Sequence, residues 1–104
     1  MALLVAAALA VTLSLTPLVA VEPATITARV HISPDQENRG ACVAIWLPGD
    51  EFPVQESCWS LNGANEAATF TRRFSRLLLG GYVAVLSVQT TRGVIVRKAQ
   101  FVVG

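Results

Sequence analysis

The sequence predicts an all-β domain, a two-layer antiparallel sandwich of six or seven strands that follows an apolar N-terminal leader helix. Between residues 21 and 104, apolar residues alternate with polar ones at a period of two, which is typical of antiparallel strands with one buried face. Turn residues interrupt this alternation about every ten residues. Outside the leader, no segment repeats apolar residues at the helical spacing i, i+3, i+4 and i+7 over a useful length. We therefore expect strands and no helix in residues 21–104.

The N-terminal segment is set apart by its lack of charge. The stretch MALLVAAALAVTLSLTPLVAV contains no charged side chain, whereas every charged residue lies between Glu22 and Lys98. An apolar stretch that ends in small residues is typical of a signal peptide, and we predict one over 1–20, with cleavage after Ala20 and a domain at 21–104. An uncleaved leader is the alternative, because about 20 apolar residues can span a bilayer and would tether the domain.

Six strands follow, each bounded by turn residues such as SPDQENRG, PGDEFP, NGAN and TRG. In the first strand, the alternation places Ile26 and Val30 on one face and His31 on the solvent side. In the fifth strand, Val83 and Val85 form a second apolar face, which is either covered or kept for a partner. The predicted strands are TITARVHI, ACVAIWL, QESCWSL, AATFTRRF, YVAVLSVQT and VIVRKAQFVV.

The turn before the fifth strand has a distinctive pattern. Leu77, Gly80 and Tyr82 form an L-x-x-G-x-Y sequence, in which glycine permits a corner with positive φ and the tyrosine ring packs inside the domain. This pattern resembles the tyrosine corner of fibronectin type III and other immunoglobulin-like domains. The resemblance implies an immunoglobulin-like sandwich that serves as a binding or spacer module. It implies no catalytic residue.

The chain has two cysteines, Cys42 and Cys58. In an exported domain we expect them to pair, because disulfides persist in oxidising compartments; two free buried thiols are the alternative. The pair differs from the inter-sheet disulfide of immunoglobulin domains, because Ala84 stands where the second core cysteine would follow the tyrosine. One histidine and two separated cysteines do not supply the four ligands of a zinc site, so we predict no metal and no cofactor.

Charge is distributed unevenly along the chain. Residues 21–66 contain seven acids and two arginines, whereas residues 67–104 contain five arginines, one lysine and no acid. Pairing of opposite charges across neighbouring strands would explain this distribution. The other explanation is an anionic ligand bound by a basic rim. The candidate residues of that rim are Arg72, Arg73, Arg76, Arg97 and Lys98.

The function that these features favour is that of a small non-enzymatic binding or structural module, secreted or periplasmic. Its partner would be an acidic protein or an anionic envelope component, and we expect no nucleic acid. Two alternatives stay open: a membrane-tethered accessory domain held by an uncleaved leader, and a small hydrolase. The hydrolase is disfavoured because His31 is the single histidine and no G-x-S-x-G motif accompanies it.

Overall fold

The structure is a computed structural model that describes residues 10–63 and 68–104. In these residues the chain forms strands connected by turns, and none of them belongs to a helix that is long and apolar enough to cross a membrane. The strands are β1 (Val11–Thr16), β2 (Val19–Ala20), β3 (Ala24–Ile32), β4 (Asn38–Trp46), β5 (Gln55–Ser60), β6 (Ala68–Leu77), β7 (Gly80–Thr90) and β8 (Gly93–Val103).

The strands form two sheets that pack face to face. One sheet has the order β1-β3-β6 and the other the order β2-β8-β7-β4-β5. Neighbouring strands are antiparallel, apart from the short parallel pair of β2 and β8. Alternate side chains of both sheets fill the space between them, and the most deeply buried large ones are Ile26, Ile32, Ile45, Leu86 and Phe101. The predicted all-β class and the packing of two sheets are confirmed.

The strands include a segment that the sequence assigned to the leader. Residues of β1 pair with β3 from Val11 opposite Ile32 to Thr16 opposite Thr27. Val11 and Leu15 are only 4% and 7% exposed and belong to the core. The expected leader helix is therefore wrong for Val11–Thr16, where the alternation of apolar residues with threonine and serine suits a half-buried strand. Residues 1–9 lie outside the described part of the chain, and cleavage after Ala20 stays a prediction.

A bulge interrupts β6 near its end. Leu77 pairs with Ala24 and Phe74 with Ile26, so that Ser75 and Arg76 together oppose a single residue of β3. Arg76 has a φ of 61°, a left-handed conformation that is common in bulges and turns. The extra residue shifts the inward-facing positions of β6 by one. Phe74 and Leu77 are therefore both buried in the core, although they are three residues apart.

Tyr82 is the third residue of β7 and directly follows the turn from β6; Gly80, the first residue of β7, has a φ of 156°. The side chain of Tyr82 is 4% exposed. Its ring stacks on Phe101 with the centroids 5.1 Å apart, and its hydroxyl donates a hydrogen bond of 2.7 Å to the carbonyl oxygen of Leu78. The tyrosine therefore connects the turn to the core and to β8.

Candidate functional site

The predicted disulfide is confirmed. Cys42 of β4 and Cys58 of β5 are directly opposite in the strand register and are bonded to each other. Ala41 and Val43 point into the core, so Cys42 between them points outward from the five-stranded sheet. Glu56 has a carboxylate oxygen within 4.8 Å of both sulfur atoms, but sulfurs joined to each other are not thiolate ligands for a metal.

Removing the disulfide should destabilise the domain without preventing folding. The bond closes a loop with a sequence separation of 16, for which chain entropy predicts a contribution of about 3 kcal/mol. The double variant Cys42→Ser/Cys58→Ser opens no core cavity, because both side chains point outward. We expect urea unfolding to give a free energy of unfolding lower by about 2–3 kcal/mol. An unchanged free energy would contradict this account of the bond.

Arg72 contacts the other sheet and does not lie on an outer binding surface. It occupies a core-facing position of β6, where its Cζ atom lies 4.9 Å from the centroid of the Trp59 ring. Its Nε donates a hydrogen bond of 3.0 Å to Ser57 Oγ on β5. Arg72 thereby joins the free edges of the two sheets through a cation–π contact and a hydrogen bond. We remove it from the candidates for an anion contact.

Arg97 joins the sheets at the opposite side of the sandwich. Its Nε donates a hydrogen bond of 3.1 Å to the carbonyl oxygen of Val11 on β1. Lys98, the next residue, points to the outer face of the five-stranded sheet. Since β6 and β8 belong to different sheets, these two residues lie apart from Arg73 and Arg76. The five basic residues therefore do not lie together in one rim, which the sequence had left open as an alternative to charge pairing.

The outer face of the three-stranded sheet carries a polar cluster that differs from the candidate basic rim. Its rows run Thr12–His31–Thr69, Ser14–Arg29–Thr71 and Thr16–Thr27–Arg73 across β1, β3 and β6. We call these nine side chains the hydroxyl face. It contains two arginines and a histidine, and none of its nine residues is acidic. Arg29 lies opposite Thr71 and Arg73 opposite Thr27, so the two guanidinium groups belong to diagonal neighbours, about 7–8 Å apart at the backbone.

Arg29 is the residue of this cluster that sequence reasoning missed, because it lies in the acidic half of the chain. The sequence nevertheless contains a pattern that could have identified Arg29. TITAR at 25–29 and TFTRR at 69–73 share the pattern T-x-T-x-R, which in a strand places two threonines and one arginine on the same face. This pattern predicts that the two arginines are neighbours only if β3 and β6 are known to be adjacent and antiparallel.

His31 also lies on the hydroxyl face. Its Nδ1 is 3.2 Å from Thr69 Oγ1, so a hydroxyl and an imidazole are within hydrogen-bond distance. A catalytic triad would need a carboxylate to orient the ring. The cross-strand neighbours of His31 are Thr12 and Thr69, neither of which is acidic. This arrangement gives the hydrolase alternative no support.

The acidic residues lie outside the nine positions of the hydroxyl face. Asp35 and Glu37 lie between β3 and β4, Asp50 and Glu51 between β4 and β5, and Glu56 faces outward from β5. Glu22 precedes β3, and its carboxylate accepts a hydrogen bond of 3.0 Å from the backbone N–H of Leu79, just after β6.

Within the described strand pairs, no arginine or lysine is directly opposite a carboxylate. Cross-strand charge pairing therefore does not explain the uneven charge distribution in this part of the chain. Glu66, which follows β5 in the sequence, lies outside the described residues.

The outer face of the five-stranded sheet is largely apolar. Ala44 and Trp46 of β4 lie beside Val85 and Val83 of β7, and β8 continues this surface with exposed valines. No strand of the described residues covers it. Val83 and Val85, which the sequence left as either covered or exposed, are half-buried by their neighbours in the sheet. We call this surface the apolar face, formed by Ala44, Trp46, Val83, Val85, Val96, Val102 and the disulfide.

Comparison with known proteins gives no relative from which a role could be transferred. No protein-family model, curated protein or solved structure matches the chain. The two outer faces are therefore the basis for assigning a function.

Proposed function

We propose that the protein is a non-enzymatic, immunoglobulin-like binding module that binds an anionic partner through its hydroxyl face. The immunoglobulin-like assignment is supported by strand order. In such domains, strands A, B and E form one sheet and strands C, F and G the other. The sheets β1-β3-β6 and β4-β7-β8 follow this order if β1 is strand A and β5 is an additional edge strand. Tyr82 then stands at the start of strand F, as in a tyrosine corner.

An extracytoplasmic location, secreted or periplasmic, is supported by the disulfide. Cys58 is exposed on the edge strand β5, where cytosolic reductants would reach it, and bonds of this kind persist in oxidising compartments. The tethered alternative is less favoured. A membrane helix needs about 20 residues, so an anchor built from residues 1–20 would require β1 and β2 to leave their sheets. Cleavage after Ala20 would remove the same two strands, so the disulfide alone supports the extracytoplasmic location.

The observation that carries the binding proposal is that Arg29 and Arg73 are diagonal neighbours on the hydroxyl face, none of whose nine residues is acidic. Guanidinium groups donate paired hydrogen bonds to carboxylate and phosphate oxygens, and the surrounding threonine hydroxyls supply further donors. Arg76 follows in the bulge at the end of β6 and adds a third positive charge nearby. Since the face is open to solvent, we expect binding to be weak and to decrease with salt.

The test compares matched single variants that each remove one exposed charge. Arg73→Gln changes the hydroxyl face, and Arg92→Gln changes the turn between β7 and β8. Binding of polyglutamate and of polyphosphate, measured by calorimetry at low and moderate salt, distinguishes a carboxylate ligand from a phosphate ligand. We expect Arg29→Gln/Arg73→Gln to weaken binding by about tenfold or more, since hydrogen bonds to charged groups contribute about 1.5–3 kcal/mol each.

The control Arg92→Gln should alter binding much less than Arg73→Gln, because it changes only the overall charge. Equal effects of the two single variants would indicate attraction by net charge without a site. Unchanged binding by the double variant, or no binding by the wild-type protein at low salt, would contradict the proposal.

A further inference from the structure

The apolar face differs from the other outer surface of the sandwich in having few long polar side chains at its centre. Ala44 is 6% exposed although it points away from the core, because its neighbours in the sheet surround it. Val96 and Val102 at the β8 side are 44% and 49% exposed. Trp46 is half-buried on the same face. Ser87 and Gln100 lie among these residues on the same face, so the surface is apolar at its centre and mixed towards β8. An exposed apolar patch on a small domain is typical of a site of protein association.

One row of the five-stranded sheet's outer surface carries two opposite charges, Glu56 on β5 and Lys98 on β8. Arg39, at the bulge near the start of β4, is exposed as well but lies outside this row. In the register, the row reads Glu56, Ala44, Val85, Lys98 across the four strands. Three strand spacings separate the two charges, or about 14 Å. An acid and a base therefore flank the apolar centre at equal distances from it.

We propose that the apolar face binds a second copy of this chain in a face-to-face dimer, with the two-fold axis in the interface and parallel to the strands. This rotation reverses the row, so Glu56 of one copy meets the partner's Lys98, and Lys98 meets the partner's Glu56. The same operation places Ala44 over the partner's Val85 and Trp46 over the partner's Val83. Each copy contributes the same surface, as closed two-fold symmetry requires.

The charges also select this dimer over the other face-to-face arrangement. A two-fold axis perpendicular to the strands would place Glu56 opposite the partner's Glu56, and Lys98 opposite the partner's Lys98, when the same row is aligned. Like charges in contact are unfavourable and act against such a pairing. Complementary charge on a single surface is the feature that favours a second copy over an unrelated partner.

The size of the surface predicts a weak dimer. Four strands, about 19 Å across, and five rows, about 33 Å along, give a projected area of roughly 650 Å² per copy, whereas stable complexes bury about 800 Å² per partner. We expect Trp46 to contribute the largest share of the binding energy, because tryptophan is enriched among the residues that dominate interfaces. We expect monomer and dimer to exchange at micromolar to millimolar concentrations.

Variants that reverse the charge of Glu56, of Lys98 or of both residues test the proposal. Sedimentation velocity of the oxidised protein over this concentration range should give a concentration-dependent shift from monomer to dimer. Glu56→Lys and Lys98→Glu should each raise the dissociation constant by about tenfold or more, because each creates two like-charge contacts per dimer. The double variant Glu56→Lys/Lys98→Glu restores complementary charge in every contact and should dimerise like the wild-type protein.

Circular dichroism of each variant provides the check on folding, and Val85→Arg, at the centre of the face, should leave a folded monomer. A wild-type protein that stays monomeric at millimolar concentration would overturn the proposal. It would equally be overturned by single variants that dimerise like the wild type, or by a double variant that dimerises no better than the singles.

Discussion

A chain that begins at Val21 should be far less stable than a chain that begins at Ala10. The shorter chain lacks β1 and β2 and therefore exposes one edge of β3 and part of the core. Val11 and Leu15, both buried, contribute about 1.5–3 kcal/mol each through burial alone, and six register pairs with β3 are lost with them. The expected loss of about 3–6 kcal/mol is comparable with the whole stability of a small domain.

Urea unfolding monitored by tryptophan fluorescence measures this difference, because Trp59 packs against the core. The chain that begins at Ala10 is the control for removing residues 1–9 and should retain its cooperative transition. Equal midpoints for the chains that begin at Ala10 and Val21 would contradict the assignment of β1 to the sandwich. That result would instead favour the leader that the sequence predicted.

Tyr82→Ala should destabilise the domain severely for a single substitution, with an expected cost of about 3–5 kcal/mol. It removes a ring that stacks on Phe101 and a hydrogen bond to the carbonyl oxygen of Leu78. Tyr82→Phe keeps the ring and loses the hydrogen bond alone, so we expect a cost of about 0.5–1.5 kcal/mol. The two free energies of unfolding, taken from urea titrations, separate packing from hydrogen bonding.

The ratio of these two effects is the informative quantity. If Tyr82→Phe cost as much as Tyr82→Ala, the hydroxyl rather than the ring would hold the turn in place. A midpoint unchanged by Tyr82→Ala would contradict both the corner and the register of β7 derived from it.

The sequence predicted the six strands β3–β8 because their alternation is local and their turns contain glycine, proline or asparagine. It failed for β1, because a strand that alternates leucine and valine with threonine and serine is also an uncharged apolar segment. Composition alone does not separate these two cases. The difference is that Val11 and Leu15 are buried against the other sheet, and this contact is not local.

Contacts between distant parts of the chain also limited the prediction of the candidate sites. The disulfide could be predicted because only two cysteines are present, but its position on the outer face depends on the strand register. The basic residues were grouped by their proximity in sequence, whereas the fold separates them. Arg72 contacts Trp59, Arg97 contacts Val11, and Arg73 is joined by Arg29, 44 positions earlier in the chain.

Amide chemical-shift mapping during titration with polyglutamate or polyphosphate, whichever binds, tests the binding proposal most directly. If the hydroxyl face binds the anion, the largest changes should fall on Thr27, Arg29, Thr71 and Arg73. Val85, on the opposite outer face, should change little, because the core separates the two surfaces. Largest changes at Val85 and its neighbours, or at the turn that contains Arg92, would contradict the assignment of anion binding to the three-stranded sheet.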